Sequence, residues 1–370
     1  MATGLRVGVD AHMVGGRETG NETYVVGLLK GLSTLDTDLE VCAYYQDGAL
    51  LPGGEHLIHK RLLSSSSWVR LGLDLPVRSW RDGIGVLHTT YTAPLWTRCP
   101  TVITVHDISF ATNPEWFSDR DLRVLSRTVP WSINRAERVI TVSDLCRRQI
   151  IEHFRVPSDH VVRVYNGPGP AAGRIGTAEA RAIVTELGVD PSRPYILAVG
   201  NLQPRKNLVR LVQAFNGVGA AGSGVDLVIV GARHYKAGEV LLAGDRGDGR
   251  IRFTGYVSDR QLAACYELAT LFVFPSLFEG FGIPPLEAMA HEVPVVCARA
   301  GALPEVCSDA VSYFDPLDVG AITESIVKAL TDDRLRHELI NNGVERAKAF
   351  TWEKAAAETL AVYEAVAAGT

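Results

Sequence analysis

The stretch EGFGIPPLE contains two carboxylates, Glu279 and Glu287, separated by seven residues that are mostly glycine and proline. Glycine lets a backbone approach a ligand closely, and proline suits the first position of a helix. We therefore place Glu279 on the loop after a strand and Glu287 in the first turns of a helix. Carboxylates bind hydroxyls, and a helix N-terminus binds phosphate oxygens, so the stretch fits a sugar nucleotide. The alternative is a capped helix with two solvated acids.

Two further loops carry candidate residues at the ends of strands. In GNLQPRKN (200–207), Arg205 and Lys206 lie beside the start of a helix, where two cations favour anion binding. In VHDIS (105–109), a strand ends at His106. Ligands of open α/β sheets bind outside the carboxyl ends of the strands, so this histidine is a candidate for hydrogen bonding or proton transfer. The alternatives are two exposed basic residues and a structural histidine.

Two patterns carry weaker signals. ETGNETY (18–24) places Gly20, with Gly15 and Gly16 upstream, before a predicted helix, but a full G-x-G-x-x-G is missing. Asp36 and Asp38 spell the D-x-D of metal-dependent sugar transferases. Nothing else in the sequence points to a metal there, so we favour a solvated turn. The motifs of P-loop proteins, of G-x-S-x-G hydrolases and of H-E-x-x-H metalloproteases are absent.

Length and composition indicate a globular protein of about two domains, because domains average ~150 residues and this chain has 370. A net charge of −5 disfavours broad nucleic-acid binding. Six scattered cysteines without a C-x-x-C pair argue against zinc ribbons and disulfide frameworks, and for a reducing compartment. The first residues lack the pattern of a secretory signal, and no apolar run is long enough to span a membrane. We expect a cytoplasmic protein and leave open a position at the inner face of the membrane.

Apolar runs alternate with segments of helical period, which predicts parallel sheets covered by helices. In the first half, strands are predicted at 5–11, 39–45, 85–91, 101–107 and 138–143, and helices at 22–32 and 143–154. In the second half, strands are predicted at 195–200, 225–231, 251–257, 270–276 and 293–298, and a helix at 207–215.

A Gly/Pro-rich segment, NGPGPAAGRIGT (166–177), separates the two halves and reads as a linker. We therefore predict two Rossmann-like domains. Residues 1–170 form the N-terminal domain and residues 171–352 form the C-terminal one.

Taken together, these stretches resemble glycosyltransferase family 4, whose members are retaining enzymes of the GT-B fold. The motifs that carry the resemblance are TGNETY, TVHDISF…NPEWF, RVITVSDLCRRQI, VYNG, VGNLQPRKN and EGFGIPPLE. The tail FTWEKAAAETLAVY (350–363) resembles the family's C-terminal helix. The resemblance implies two Rossmann-like domains facing each other across a cleft, with helix 353–370 crossing back to the N-terminal domain. It also implies an acceptor site on the N-terminal domain and a nucleotide-sugar site on the C-terminal one.

The resemblance assigns roles to eleven residues. It implies that Glu279 binds the donor sugar and that Glu287 binds the ribose. Arg205 and Lys206 would neutralise the diphosphate, and His106 would contact the sugar near the reacting carbon. The remaining donor-binding positions are Gly20 near the phosphates, Phe281, Gly282 and Ile283 at the start of the helix, and Tyr256 and Val257 beside the base.

The HDISF…NPEWF and VGNLQPRKN stretches are most similar to bacterial mannosyltransferases that use GDP-mannose. The expected reaction is therefore hexose transfer, with mannose as first choice, from a nucleotide sugar to a hydroxyl acceptor. That acceptor is a sugar, a lipid-linked molecule or a small molecule, and the product is a glycan, a glycolipid or a natural product. No metal, cofactor or nucleic acid is expected, and the oligomeric state is open.

A peripheral membrane contact is also left open. Arg120, Arg123 and Arg127 share a helix face near Trp131, although a solvated face is the favoured interpretation because acids are interleaved with them.

Other functions remain as alternatives. The donor could carry UDP or TDP, the fold could serve a sugar-nucleotide epimerase or a pyridoxal-dependent phosphorylase, or the protein could bind sugar nucleotides without catalysis. Three positions depart from the family pattern. Asn201 and His12 stand where arginine is common, and NGPGP replaces NGV at the hinge. Arg205 is expected to compensate for Asn201.

Overall fold

A computed structural model describes residues 4–16, 19–48, 51–219, 224–233, 237–244 and 249–369. The chain divides into two compact units. The first unit comprises the described parts of Met1–Pro114, Asp119–Gly167 and Phe350–Thr370, and the second comprises Glu115–Ser118 and Pro168–Ala349. The C-terminal segment therefore belongs to the same unit as the N-terminal half of the chain.

The described residues of the first unit form a seven-stranded parallel sheet. Its strands are β1 Arg6–Ala11, β2 Glu40–Tyr45, β3 Leu57–Arg61, β4 Val86–Thr90, β5 Thr101–Thr104, β6 Arg138–Thr141 and β7 Val161–Arg163. Their order is β3-β2-β1-β4-β5-β6-β7, so the winding direction reverses between β1 and β4. Helices cover both faces of such a sheet, which is why the central strands are continuous apolar runs. Ligands bind at such a reversal, beyond the carboxyl ends of the strands.

The helices of the first unit flank this sheet. They are α1 Thr19–Ser33, α2 Ser67–Val69, α3 Leu75–Arg81, α4 Ser109–Thr112, α5 Asp119–Arg135, α6 Asp144–Phe154 and α15 Trp352–Ala368, with a π-helical turn at Arg70–Asp74 and a 3₁₀ turn at Pro114–Trp116. Helix α6 begins where the sequence predicts, because the Ser143 side chain accepts a hydrogen bond from the amide of Cys146.

The C-terminal helix α15 packs directly against α1, and two glycines one turn apart make room for it. A Cβ atom on Gly31 would lie within van der Waals overlap of the backbone carbonyl of Trp352, and one on Gly27 would overlap the indole of Trp352. The indole therefore occupies the groove that these glycines leave on α1.

The described residues of the second unit form a six-stranded parallel sheet. Its strands are β8 Tyr195–Val199, β9 Asp226–Val230, β10 Ile251–Gly255, β11 Leu271–Phe274, β12 Val295–Ala298 and β13 Ser312–Phe314. Their order is β10-β9-β8-β11-β12-β13, and the reversal lies between β8 and β11.

The helices of the second unit are α7 Thr177–Glu186, α8 Leu208–Gly217, α9 Ala237–Gly244, α10 Asp259–Glu267, α11 Ile283–Ala290, α12 Leu303–Cys307, α13 Val319–Thr331 and α14 Asp333–Lys348, with 3₁₀ turns at Pro170–Ala172 and Pro204–Lys206.

The prediction of two Rossmann-like parallel sheets is confirmed, and the strands predicted in both halves are present within a few residues. Three strands were missed, namely β3, β7 and β13. Each lies at the edge of its sheet and is short, so partly polar sequences such as LIHKR suffice there. The placement of Gly20 before the first helix was wrong, because α1 begins at Thr19 and Gly20 lies in its first turn. Glu18, at the start of the predicted motif, lies outside the described residues.

Candidate functional site

Two loops meet at the reversal point of the second sheet. One follows β8 and carries Arg205 and Lys206, and the other follows β11 and carries Glu279. The amide of Leu277 donates to the carbonyl oxygen of Arg205 at 2.8 Å, and Arg205 Nη1 donates to the carbonyl oxygen of Phe278 at 2.7 Å. These hydrogen bonds fix both loops, so the basic pair and the acid come together.

Glu279 forms ion pairs with both cations. Its Oε1 atom is 2.6 Å from Lys206 Nζ and its Oε2 atom is 2.8 Å from Arg205 Nη1. Burial of Glu279 opposes its ionisation, but the charges of Arg205 and Lys206 outweigh burial and lower its pKa to about 2. At neutral pH the cluster therefore holds one carboxylate and two cations, a net charge of +1.

Backbone features of the first loop hold the cations in place. The stem of Lys206 lies against Gly200, where a Cβ atom would be only 3.0 Å from Lys206 Cδ. Asn207 adopts a left-handed conformation, with φ of 55°, and its side-chain amide donates to the carbonyl oxygens of Pro275 and Pro316 at 3.1 and 2.7 Å. The loop is thus anchored to the segment after β11 and cannot shift without breaking buried hydrogen bonds.

Glu287 lies inside α11 and is 5% exposed. The Tyr266 hydroxyl donates to Glu287 Oε2 at 3.0 Å, and burial raises the pKa of Glu287 to about 7. A Cβ atom on Gly169 would overlap Glu287 Oε1. The carboxylate of Glu287 therefore packs against the backbone of Gly169, the second glycine of NGPGP.

The start of α11 offers few amides to a ligand. Gly282 has φ of 125°, which favours glycine, and precedes the helix, which begins at Ile283. Pro284 and Pro285 follow and have no N–H, so the amides at this helix start are those of Gly282 and Ile283. Phe281, the next amide along the loop, is 5% exposed. The anion-binding capacity expected of the helix start is thus concentrated in these loop residues.

Tyr256 and Val257 follow β10, which is separated from β8 by β9. They therefore lie at the same carboxyl edge of the second sheet as Glu279 but not in the ion-pair cluster. The side chain of Tyr256 is 47% exposed, whereas Val257 is buried.

His106 and Gly20 belong to the first unit. His106 follows β5 between two tyrosine rings, with centroid distances of 4.7 Å to Tyr24 and 5.7 Å to Tyr91. Its Nε2 atom is buried and has no hydrogen-bond partner among the described residues. Burial lowers the pKa of His106 to about 4, so the ring is neutral at pH 7. Gly20 is exposed, and a Cβ atom there would have open space around it.

The reversal point of the first sheet carries a second charged cluster. Asp10 is buried at the end of β1 and forms an ion pair with the buried Arg70 of the π-helical turn. His12 Nδ1 lies 3.1 Å from Asp10 Oδ1. Sequence analysis singled out His12 as a departure from the family pattern, whereas nothing in the sequence indicated Arg70 as its neighbour.

Sequence reasoning also missed Tyr266 and Gly301. The loop after β12 lies against the backbone of Glu279, since the amide of Ala302 donates to the Glu279 carbonyl oxygen at 2.9 Å. A Cβ atom on Gly301 would come within 2.6 Å of the Glu279 backbone. A glycine in an R-A-G context is a weak signal, so this support for Glu279 becomes visible only in three dimensions.

The described residues offer little support for a metal site or for a membrane-spanning helix. Asp36 and Asp38 lie in the connection before β2, at the amino edge of the sheet. Within the part of the chain that the structure covers, no group of three or more His, Cys, Asp or Glu side chains could hold a metal ion. No described helix is long and apolar enough to cross a bilayer. Arg120, Arg123 and Arg127 are exposed on α5.

Two family models match the chain, one on each half. Residues 19–168 match Glycosyltransferase Family 4, and residues 180–346 match Glycosyl transferases group 1. The first match ends inside the Gly/Pro-rich segment 166–177, and the second begins just after it.

Individual proteins match over most of the chain. O-antigen chain mannosyltransferase B of Escherichia coli is 35% identical over 266 residues, which is 71% of this chain and 70% of that protein. The serotype-specific mannosyltransferase WbdA of Escherichia coli is 30% identical over 69% of this chain, but the match spans only 32% of its length.

Solved structures share the fold. Sucrose-phosphate synthase from Thermosynechococcus elongatus superposes with a TM-score of 0.78 at 20% identity, covering 99% of this chain and 100% of that one. Anabaena HepE in complex with UDP-glucose gives a TM-score of 0.75 at 19% identity over 97% of this chain and 100% of that one. The fold class is therefore that of GT-B glycosyltransferases, as predicted. With matching models on both halves and a mannosyltransferase relative at 35% identity, the chain belongs to glycosyltransferase family 4.

Proposed function

We propose that this glycosyltransferase moves a hexose, with mannose as first choice, from a nucleotide sugar to a hydroxyl acceptor with retention of configuration and without a metal ion. The observation that carries the proposal is the cluster of Arg205, Lys206 and Glu279 at the reversal point of the second sheet. It combines cations suited to a diphosphate with a carboxylate suited to sugar hydroxyls.

The diphosphate leaving group is stabilised by Arg205 and Lys206. Glycosyl transfer creates negative charge on the departing diphosphate, and preorganised cations that meet that charge are the largest catalytic contribution available. The cluster carries a net charge of +1, so it gains attraction when a diphosphate arrives. The amides of Gly282 and Ile283 supply further donors, and these groups perform the task that a divalent cation performs elsewhere.

Glu279 binds hydroxyls of the transferred sugar and does not attack its anomeric carbon. A carboxylate held by two cations, with a pKa of about 2, is a weak nucleophile. Retention then follows from a front-face route, in which the leaving phosphate helps to remove the proton of the acceptor hydroxyl. The neutral His106 contacts the sugar through its Nε2 atom.

The nucleoside lies along the second unit, with Glu287 on the ribose and Tyr256 and Val257 beside the base. Gly20 of α1 brings backbone near the phosphates. The first unit holds the acceptor, which is a sugar, a lipid-linked molecule or a small molecule.

A donor screen tests the proposal. GDP-mannose, UDP-glucose, UDP-galactose and TDP-glucose are titrated by calorimetry, and slow hydrolysis of each is followed by release of the nucleoside diphosphate. We expect binding and hydrolysis to be strongest for GDP-mannose, because the relatives named above are mannosyltransferases. Preference for a UDP-sugar or TDP-sugar would overturn the donor assignment alone. Binding of a sugar nucleotide without hydrolysis or transfer would indicate a non-catalytic binding protein.

A further inference from the structure

A chain of hydrogen bonds crosses the core of the first unit from the C-terminal helix to α1. The Tyr363 hydroxyl lies 2.5 Å from His88 Nδ1, and His88 Nε2 lies 2.7 Å from Thr104 Oγ1. Thr104 Oγ1 is in turn 2.7 Å from the Tyr24 hydroxyl. The four side chains come from α15, β4, β5 and α1, and each is at most 2% exposed.

Every hydrogen bond of this series can be given one donor and one acceptor. Burial lowers the pKa of His88 to about 3, so its ring is neutral and offers one N–H donor and one lone pair. One neighbouring hydroxyl donates to the ring and the other accepts from it. Buried polar groups cost stability unless paired, and a sheet core can be filled with apolar side chains instead. The hydrogen-bond chain therefore depends on all of its members, because losing one would leave a buried polar group unpaired.

The hydrogen-bond chain ends at Tyr24, whose ring contacts His106. The ring of Tyr24 meets His106 edge to face, at 4.7 Å between centroids and 79° between planes. The ring of Tyr91 also contacts His106, at 5.7 Å between centroids and 63° between planes, and the backbone of Tyr91 has φ of 60°. A tyrosine in the left-handed region is uncommon and marks a position where the ring direction is imposed.

We propose that Tyr24 and Thr104 are positioning residues for His106, and that the hydrogen-bond chain through His88 couples them to Tyr363 on the C-terminal helix. The hydrogen bond at the Tyr24 hydroxyl holds the far end of that ring in place, and the ring in turn packs against His106 and positions it. Aromatic contacts hold the imidazole without using its Nε2 atom, which stays free for a hydroxyl of the transferred sugar. The inference rests on the role of His106 in the proposed function.

Three variants test the chain at its centre and at its end. Thr104→Val keeps the volume and removes both hydrogen bonds of the central hydroxyl, whereas Thr104→Ser keeps the hydroxyl. Tyr24→Phe keeps the ring and removes its anchor. We expect Thr104→Val and Tyr24→Phe to lower kcat for GDP-mannose hydrolysis by roughly 10- to 100-fold, the scale for a misplaced reacting group. We expect unchanged calorimetric affinity for GDP, and near-normal kcat for Thr104→Ser.

Two further measurements separate positioning from stability. Tyr195→Phe is the matched control, because it removes a buried hydroxyl that donates to the carbonyl oxygen of Cys265 in the second unit. It should lower the melting temperature without lowering kcat. NMR spectra of ¹⁵N-histidine-labelled protein should show displaced ring signals of His106 in Thr104→Val but not in Tyr195→Phe.

The outcomes distinguish the inference from the proposed function. If Thr104→Val lowers only the melting temperature, with kcat and the His106 signals unchanged, the chain is structural and the inference is wrong. If His106→Ala hydrolyses GDP-mannose at the wild-type rate, the role of His106 in the proposed function is wrong, and the inference falls with it. Loss of activity in His106→Ala with normal Thr104→Val and Tyr24→Phe enzymes would overturn the inference alone.

Discussion

Lys206 Nζ and Glu279 Oε1 lie 2.6 Å apart, and their ion pair joins the loop after β8 to the loop after β11. The same carboxylate is held from its other oxygen by Arg205. Each cation neutralises Glu279, and in the proposed function each also meets the diphosphate. Removing one of them leaves the buried carboxylate with a single cation, so the effects of substitutions in this cluster will not be additive.

Lys206→Ala should reduce turnover by roughly 10²-fold or more, the scale for losing one preorganised charge-stabilising group. Arg205→Ala should approach that loss, since Asn201 supplies no charge of its own. Donor hydrolysis gives kcat for both variants. Arg193→Ala, which breaks an exposed pair with Asp226 at the start of β9, is the control and should be nearly normal. A near-normal Arg205→Ala enzyme would contradict the compensation for Asn201.

Activity should survive EDTA, because in the proposed function Arg205, Lys206 and the amides before α11 stabilise the diphosphate without a metal ion. Donor hydrolysis is measured after dialysis against chelator and again after adding Mg²⁺ or Mn²⁺. Complete loss of activity that either ion restores would show that the cations of the protein do not suffice.

The sequence could predict that Lys206 and Glu279 lie at one edge of a parallel sheet, because both follow apolar strands, but it could not predict their ion pair. The helix that carries Glu287 was predictable for a similar reason, since the Gly/Pro pattern marks its start. Short edge strands such as β13, with the sequence SYF, could not be predicted, since three residues show no periodicity.

Contacts between segments that are distant in the sequence could not be predicted either. Gly169 lies against Glu287 and Thr104 bonds to Tyr24, yet each pair is separated by many residues and nothing local marks the partner. Glycine at the hinge looked like a flexible linker. Gly169 instead packs against the carboxylate of Glu287, which a side chain at that position would have to displace.

Gly31→Ala should destabilise the first unit by about 1–3 kcal/mol, the usual cost of overpacking. The new methyl group would overlap the carbonyl oxygen of Trp352, a backbone atom that cannot rotate away. Urea unfolding measures the change. Gly20→Ala is the matched control on the same helix, because its Cβ atom meets nothing within 4 Å. It should stabilise the helix slightly, by less than the roughly 0.5–1 kcal/mol expected in the middle of a helix.

Gly20→Ala also tests the proposed approach of the α1 backbone to the donor phosphates. If that approach is close, the variant should bind GDP more weakly although it folds more stably. Unchanged GDP affinity in a stabilised Gly20→Ala protein would remove Gly20 from the donor site.

The two acids should give opposite pH dependences of stability. The pKa of Glu279 is lowered to about 2, so its contribution is present above pH 4.5 and is lost as pH falls towards 2. The pKa of Glu287 is raised to about 7, so the folded state binds the extra proton and the free energy of unfolding decreases as pH rises from 4.5 to 7. Urea unfolding between pH 3 and pH 8 measures both slopes.

Glutamine variants assign each slope to its residue. Glu287→Gln should remove the decrease in the free energy of unfolding between pH 4.5 and pH 7 and leave the loss of stability below pH 4.5 unchanged. Glu279→Gln should reduce that loss below pH 4.5. An unchanged profile between pH 4.5 and pH 7 in Glu287→Gln would mean that its carboxyl group titrates at its ordinary value.

Ligand binding should separate the roles of the same acids. If Glu287 holds the ribose, Glu287→Ala should weaken GDP and GDP-mannose alike, by roughly ten- to a hundred-fold for one lost charged hydrogen bond. If Glu279 holds the transferred sugar, Glu279→Gln should bind GDP nearly normally but bind GDP-mannose more weakly and turn it over more slowly, because sugar contacts position the reacting carbon. Calorimetric titration of both variants with both ligands provides the comparison. Equal losses for GDP and GDP-mannose in Glu279→Gln would show that this carboxylate supports the loop and its two cations instead of the sugar.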